Sequence, residues 1–418
     1  MTAKRARELA VLIGGEVAGW LTQDPQLRFR YDAAYLAAPN PTPLSISLPL
    51  SDEVYRQGRI APWIDGLLPD SEDVRDRWAR QFGVSARNPF ALLTHMGEEC
   101  PGAVQFCTPE RVGEVQGQNG SYLAVSDDDI AARLAQLRQD ASSWTVAGER
   151  WSLAGAQSKF ALAWTDGGWH EAVGNKPTTH IVKPGALGFM GHGLNEHLTM
   201  AAASNLGLRA APTRFQEFNG LCAVIVTRYD RVRDQGETLR IHQEDLCQAL
   251  GVARGKKYEE SGGPGAATVT DLLWEASGGE DVWRFTESLV FNYLVGGSDA
   301  HGKNFALLLS GSQVRLAPLY DLSSALPYEP RGEDSGLHRL AMSIGGQRRF
   351  GEVREREWIK LARRSRIDPG RLLDRLRSLA EDLPDALSTA ISATATSDLD
   401  TPVRYLDRLV AHLRSAAA

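Results

Sequence analysis

No stretch of this chain approaches the roughly 18 consecutive apolar residues that a membrane span needs. Cysteine is scarce: Cys100, Cys107, Cys222 and Cys247 form no CxxC pair and have no metal-ligand spacing. That excludes a disulfide framework and a zinc ribbon, and predicts reduced, partly buried thiols of a cytoplasmic protein. GxSxG is absent, which removes the nucleophile elbow of the serine hydrolases. His192 and His197 are five apart with Glu196 between them, which is not the HExxH of zinc hydrolases. Gly251-Val252-Ala253-Arg254-Gly255-Lys256-Lys257 comes near a phosphate-binding Walker A loop, but it is one residue short and lacks the Ser or Thr after Lys. No internal repeat or low-complexity tract stands out. Nor does one sign of charge dominate: the net charge of −6 argues against a surface that is basic throughout, and leaves local basic patches open.

What is present is an ordinary soluble composition, 43% hydrophobic and 23% charged, over 418 residues, enough for two or three structural units. The N-terminus carries basic residues before an apolar run, as a secretory signal does. The run at 9–13 is too short for one and no cleavage pattern follows, so a first strand is expected. Strand-like segments are predicted at 9–13, 27–31, 44–50, 151–164, 169–173, 179–183, 213–218 and 222–229. Helical spacing marks 60–82, with Asp70 or Ser71 capping a helix from Glu72, then 89–96, 127–139 and 196–205. From His242 the pattern turns helical, at 243–250, 269–275, 282–295, 355–364, 369–379 and 402–413, broken by the Gly-rich loop 261–265. The fold class is α+β, a β-rich N-terminal half joined to a helical C-terminal half.

The chemistry concentrates in Gly296-Gly297-Ser298-Asp299-Ala300-His301-Gly302-Lys303-Asn304, followed by Pro318-Leu319-Tyr320-Asp321. Phosphoryl transfer needs such residues: one carboxylate to receive the proton of an attacking hydroxyl, and an amide plus a second carboxylate to hold Mg²⁺ against phosphates. Singly, each is also a good turn or cap former. Ser152-Leu153-Ala154-Gly155-Ala156-Gln157-Ser158-Lys159 lets backbone N–H groups approach phosphate oxygens, and a plain small-residue turn accounts for it equally well. Lys183 closes an apolar strand, where it either meets an anion or snorkels to water. Glu196, read as opening the next helix, either orients Lys183 or serves the helix dipole. The tract 339–377 holds twelve Arg and Lys against five Asp and Glu, either solvated helix faces or a footprint for DNA or an acidic partner.

With these positions in view, the chain resembles the HipA family, the Ser/Thr kinase toxins of bacterial type II toxin–antitoxin pairs, over nearly its whole length. The likeness rests on Leu48-Pro49-Leu50, Leu67-Leu68-Pro69-Asp70-Ser71, Val74-Arg75-Asp76-Arg77 and Gly102-Ala103-Val104. It extends through Ala154-Gly155-Ala156-Gln157 with Lys159, Thr178-Thr179-His180-Ile181, Gln243-Glu244-Asp245-Leu246-Cys247-Gln248, Lys257-Tyr258-Glu259 with Gly262-Gly263-Pro264-Gly265, and the 299–304 and 320–321 motifs. Ser158 departs from an acidic residue found in some relatives.

The resemblance implies a two-lobed, protein-kinase-like fold: an N-terminal subdomain over 1–112, a kinase N-lobe over 113–240 and a helical C-lobe over 241–418. It implies ATP and Mg²⁺ as cofactors, Asp299 as catalytic base, and Asn304 and Asp321 as metal ligands. ATP would be bound by Ala154, Gly155, Ala156, Gln157, Ser158, Lys159 and Lys183, by Thr227, Arg228 and Tyr229 between the lobes, and by His301, Gly302, Lys303, Asn304, Tyr320 and Asp321. Ser152 would be the autophosphorylation site, where a dianion inside the cradle repels ATP. The implied substrate is an aminoacyl-tRNA synthetase, the glutamyl enzyme favoured, whose inhibition arrests growth and promotes persistence. The implied partners are a HipB-like helix-turn-helix antitoxin dimer and, with it, operator DNA. The alternatives are a catalytically idle corepressor and a small-molecule kinase of the antibiotic-phosphotransferase kind.

Overall fold

A computed structural model describes residues 7–117, 120–145, 149–328, 336–398 and 400–417. The N-terminal region folds into an antiparallel sheet in the order Tyr55–Arg56, Leu27–Tyr31, Glu16–Gln23, Glu8–Ile13, Val104–Cys107. Leu27, Phe29 and Tyr31 are buried and alternate with exposed Arg28 and Arg30, the period-two pattern of a strand with one wet face. The expected strand at 44–50 is instead a turn pinned by one side chain. The Tyr31 hydroxyl donates to Leu48 O and accepts from Leu44 N. The expected helix 60–82 is two helices, Gln57–Gly66 and Glu72–Phe82, and the break falls at Leu67-Leu68-Pro69-Asp70. Ser71 caps the second by accepting from Val74 N, which frees Asp70 for another task.

The second sheet runs Thr213–Phe218, Leu221–Thr227, His180–Lys183, Phe160–Thr165, Gly168–Val173, Ser121–Ala124, with every pairing antiparallel. Residues 151–159, expected as strand, are a loop apart from two isolated bridges, Trp151 with Glu99 and Gly155 with Pro69. Helix Asp127–Gln139, closed by a Ser126–Asp129 capping box, packs on this sheet, as does His192–Asn205. The latter begins a turn earlier than expected, after Gly191 in the left-handed region, so Glu196 lies inside it.

The C-terminal region is mainly helical, with Ala266–Ala276, Gly279–Leu294, Glu355–Arg364, Pro369–Ala393 and Asp400–Ala417. The helix expected over 369–379 runs on to Ala393, with Pro384 inside it. Buried Leu383, Ala386, Leu387 and Ala390 hold that helix in place despite the missing N–H. The expected helix 243–250 is a strand, His242–Asp245, paired with Ala306–Ser310, and then a short helix, Leu246–Ala249. The switch falls at Asp245, which accepts from Gln248 N while Gln248 accepts from Asp245 N.

Two large cores result. One joins the first sheet to one side of the second, with Phe29, Trp63, Trp78, Phe160 and Ile225 among its members. The other joins helix His192–Asn205 to the C-terminal helices. The seam between them forms a cleft.

Candidate active site

The cleft, about 490 Å³, is lined from all three regions of the chain. One wall is the loop after Ser152. Its carbonyl at Gly155 accepts from Asp70 N (2.8 Å), and Lys159 folds back to donate to Ala154 O (2.8 Å). Gly155 is required here: its φ is +99°, and a Cβ would stand 2.7 Å from the Lys159 ammonium. Ser158 turns aside and donates to Ala141 O (3.0 Å). Ser152 is fully buried and donates to Leu67 O (2.8 Å), while its own N–H donates to Glu99 O.

Lys183 stands at the end of its strand between two carboxylates, 2.7 Å from Glu196 Oε1 and 2.7 Å from Asp321 Oδ1. Burial alone would lower the lysine's pKa, but the two anions hold it above the ordinary range. Burial acts the other way on the acids. It raises Glu196, while the Lys183 ammonium outweighs it at Asp321 and holds that carboxyl well below its usual range. Asp321 has a left-handed backbone, φ 57°, a conformation that Asp tolerates better than most residues.

Lys159 is the least compensated cation of the cleft. It is buried, stands 5.2 Å from the Trp144 ring, and no carboxylate among the described residues forms an ion pair with it. Burial and the neighbouring Lys183 charge lower its pKa to about 8. A buried ammonium with only a carbonyl partner is a site waiting for an anion.

The 299–304 loop faces this cradle. Asp299 is exposed, Asn304 Nδ2 donates to Asp299 O (2.9 Å), and the Asn304 oxygen is left as the open end of that amide. His301 is buried and its pKa falls to about 4 through desolvation, so it is neutral at physiological pH. Tyr320 donates to Lys303 O (2.6 Å), and its ring lies 5.6 Å from Tyr229. Gly302 does not line the cleft. It packs where a Cβ would meet Cys247 and Pro264 at 2.9 Å.

Between the lobes, the N–H groups of Thr227 and Arg228 are already taken by Pro212 O and Thr179 O (2.9 Å each). Tyr229 N–H is left without a partner among the described residues. The Arg228 side chain is held in a buried ion cluster with Glu99, Asp230, Arg231 and Arg240. Burial opposes ionisation of Glu99, yet the three guanidiniums hold its pKa down to about 2.

Four of these features escape a reading of the sequence. Asp70 joins the cleft from the N-terminal region and accepts from Lys303 Nζ (2.6 Å), with Lys257 at 3.5 Å. Glu99 holds the inter-lobe arginines, and Tyr258 touches Asp299. Both lie far in sequence from what they support; Tyr258 falls within a quoted motif, and Glu99 within none. The 339–377 tract is partly neutralised: Arg348, Arg364 and Arg375 pair with Glu260, Asp271 and Glu287 outside it.

The cleft fits a nucleotide triphosphate with Mg²⁺ on the chemistry of its donors. The ammoniums of Lys159 and Lys183 face polyanion charge, and Asn304 and Asp321 present hard oxygen donors. Among the described residues no group of three or more His, Cys, Asp and Glu could hold a metal. Mg²⁺ typically takes one or two protein oxygens and completes its shell with water and phosphate, so this sparse set suits it.

A family model described as the HipA N-terminal domain matches residues 9–107, and one described as the HipA-like C-terminal domain matches 151–387. Y4mE of Sinorhizobium fredii, named as a kinase, is 35% identical over 94% of each chain. The serine/threonine-protein kinase toxin HipA of Shewanella oneidensis is 28% identical over 86% of this chain and 83% of its own. A solved complex of Shewanella oneidensis HipA with HipB and operator DNA superposes with a TM-score of 0.81 at 26% identity, covering 97% of this chain and 96% of that one.

Proposed function

The chain belongs to the HipA family of kinase toxins, and from that premise we propose that it is an ATP- and Mg²⁺-dependent Ser/Thr protein kinase. The observation that carries this reading is Lys183, held at 2.7 Å from both Glu196 and Asp321. It ties a strand, a helix and a metal-competent carboxylate into one unit at the phosphate end of the cleft. Asp299 is the base. It accepts the proton of a Ser or Thr hydroxyl as that oxygen bonds to the γ-phosphorus, and the bond to the bridging oxygen breaks to release ADP. Lys159, Lys183 and the backbone of Ala154, Gly155 and Ala156 bind the phosphates, with Gln157 and Ser158 shaping the loop. Asn304 and Asp321 would hold Mg²⁺, which when bound neutralises charge across the β and γ phosphates. The adenine edge falls to Tyr229 N–H and neighbouring carbonyls.

Ser152 is the proposed autophosphorylation site. Its hydroxyl has no exposed surface, so a phosphate dianion there is incompatible with the present loop position and the loop must leave. The proposed substrate is an aminoacyl-tRNA synthetase, the glutamyl enzyme favoured. The Shewanella complex supports a HipB-like antitoxin dimer and operator DNA as partners, with toxin and antitoxin repressing their own operon. Labelled ATP with Mg²⁺ should put phosphate on Ser152 in the wild type and none in Asp299→Asn. A synthetase panel and an aminoglycoside panel then identify the acceptor. A wild type that neither binds nor hydrolyses ATP would overturn the kinase reading and leave the corepressor.

A further inference from the structure

The segment Lys257-Tyr258-Glu259 with its Gly-rich turn is singled out by sequence, and it packs beside the 299–304 loop. Its backbone is fixed against the 299–304 loop, since Lys257 O accepts from Gly302 N (3.1 Å). The turn then wraps Tyr258, whose carbonyl accepts from Ser261 N (3.0 Å) and Gly263 N (2.9 Å). Gly263 has to be glycine for this closeness, because a Cβ would stand 2.0 Å from Lys256 O and 2.8 Å from Tyr258 O. Glu259 anchors the far side by accepting from the Ser343 hydroxyl (2.8 Å). The Tyr258 ring meets buried His301 edge-on at 4.9 Å, and its hydroxyl donates to Asp299 Oδ1 at 2.6 Å.

Asp299 otherwise has little to hold it. Its side chain is 60% exposed, and its remaining titratable neighbour is the neutral His301, whose Nε2 lies 3.9 Å from the same oxygen. An exposed carboxylate on a loop samples several rotamers, and proton abstraction needs one of them.

We propose that Tyr258 is a positioning residue for Asp299: by occupying Oδ1 it fixes the carboxylate and leaves Oδ2 to receive the proton of the substrate hydroxyl. This rests on the kinase reading of Asp299. The Gly-rich turn and Glu259 hold the tyrosine and the tyrosine holds the base, while of these only the base lines the cleft.

The test compares wild type, Tyr258→Phe, Asp299→Asn and the double variant in full-length protein, reading kcat and KM for phosphoryl transfer, ATP affinity and Tm. Tyr258→Phe keeps the ring on His301 and removes only the donor. The expected result is a fall in kcat on the order of ten- to a hundred-fold, with KM for ATP, ATP affinity and Tm unchanged. In the Asp299→Asn background the second substitution should add no further loss of rate. A Tyr258→Phe kcat equal to or above that of wild type would overturn the proposal, as would a loss shared equally between KM and Tm. An inactive wild type would overturn the kinase reading and this positioning role with it. An active wild type with an unaffected Tyr258→Phe would overturn the positioning role alone.

Discussion

Lys303 donates to Asp70 Oδ1 at 2.6 Å across 233 positions of sequence, so the N-terminal region supplies a wall of the cleft rather than an appendage to it. Lys303 is buried and Asp70 nearly so, and Lys257 shares the same carboxylate at 3.5 Å.

Asp70→Asn should therefore destabilise the protein by about 3 kcal/mol, because it leaves a buried ammonium without its anion. Burial raises the Asp70 pKa, but Lys303 outweighs it and the net shift is downward. The stability it contributes is thus present above the ordinary carboxylate range and lost as pH falls below it. Urea melts at pH 7 and in acid should show the variant's deficit shrinking in acid. ATP affinity should hold or rise, since local positive charge increases.

Lys183→Met strips the cation from between Glu196 and Asp321. Stability should fall by about 3–5 kcal/mol, and ATP binding should be lost by calorimetry or fluorescent-nucleotide titration.

Burial lowers the Lys159 pKa to about 8, and among the described residues no carboxylate forms an ion pair with it. Phosphate binding should raise its pKa, so ATP binding should take up a proton from solution at about pH 8–9. Calorimetry in buffers of different ionisation enthalpy would register that uptake, and Lys159→Met should abolish it.

Ser152→Asp places an acceptor against Leu67 O in a site with no exposed surface. An unpaired buried group of this kind costs about 1–3 kcal/mol, which should weaken ATP binding about ten- to a hundred-fold if the loop leaves. Limited trypsinolysis should then cut after Lys159, which is buried in the present loop. Ser152→Ala should behave as wild type in both measurements.

Global stability should peak near the ordinary histidine range, about pH 6.5. Burial raises Glu244 to about 8, so its contribution is complete in acid and is lost as pH rises toward 8. Burial also lowers His180, His242 and His301 to about 4, so their contribution is present above pH 6.5 and is lost as pH falls through 4. Asp245, raised to about 6, offsets part of the acid-side loss. Tm across pH 4–9 would trace the peak. Glu244→Gln should flatten its alkaline side, whatever constant offset the amide introduces.

The residues that the sequence singles out are brought to one cleft, where Lys183, Asp299, Asn304 and Asp321 all stand. The last three have a spacing that turn chemistry alone does not require, and Lys183 closes a visible strand. Helices such as Pro89–Met96 and Glu355–Arg364 were bounded by periodicity and caps. What stayed hidden depends on partners far along the chain. Residues 243–250 have helical apolar spacing, but strand pairing with Ala306–Ser310 claims the first part. Glu196 read as a first-turn residue, with orienting Lys183 and serving the dipole both open, because nothing local marks Gly191 as the helix start. Asp70 read as a cap because Ser71 is equally able to cap, and Lys303 decides between them.

The ion cluster around Glu99 bears on inheritance. A recombination event that carried residues 151–418 into another gene without residues 9–107 would deliver Arg228, Arg231 and Arg240 without Glu99, and Lys257 and Lys303 without Asp70. Such a fragment would be born with charges it had no means to bury. The two parts must therefore travel through genomes together, and lineages that keep one should keep the other.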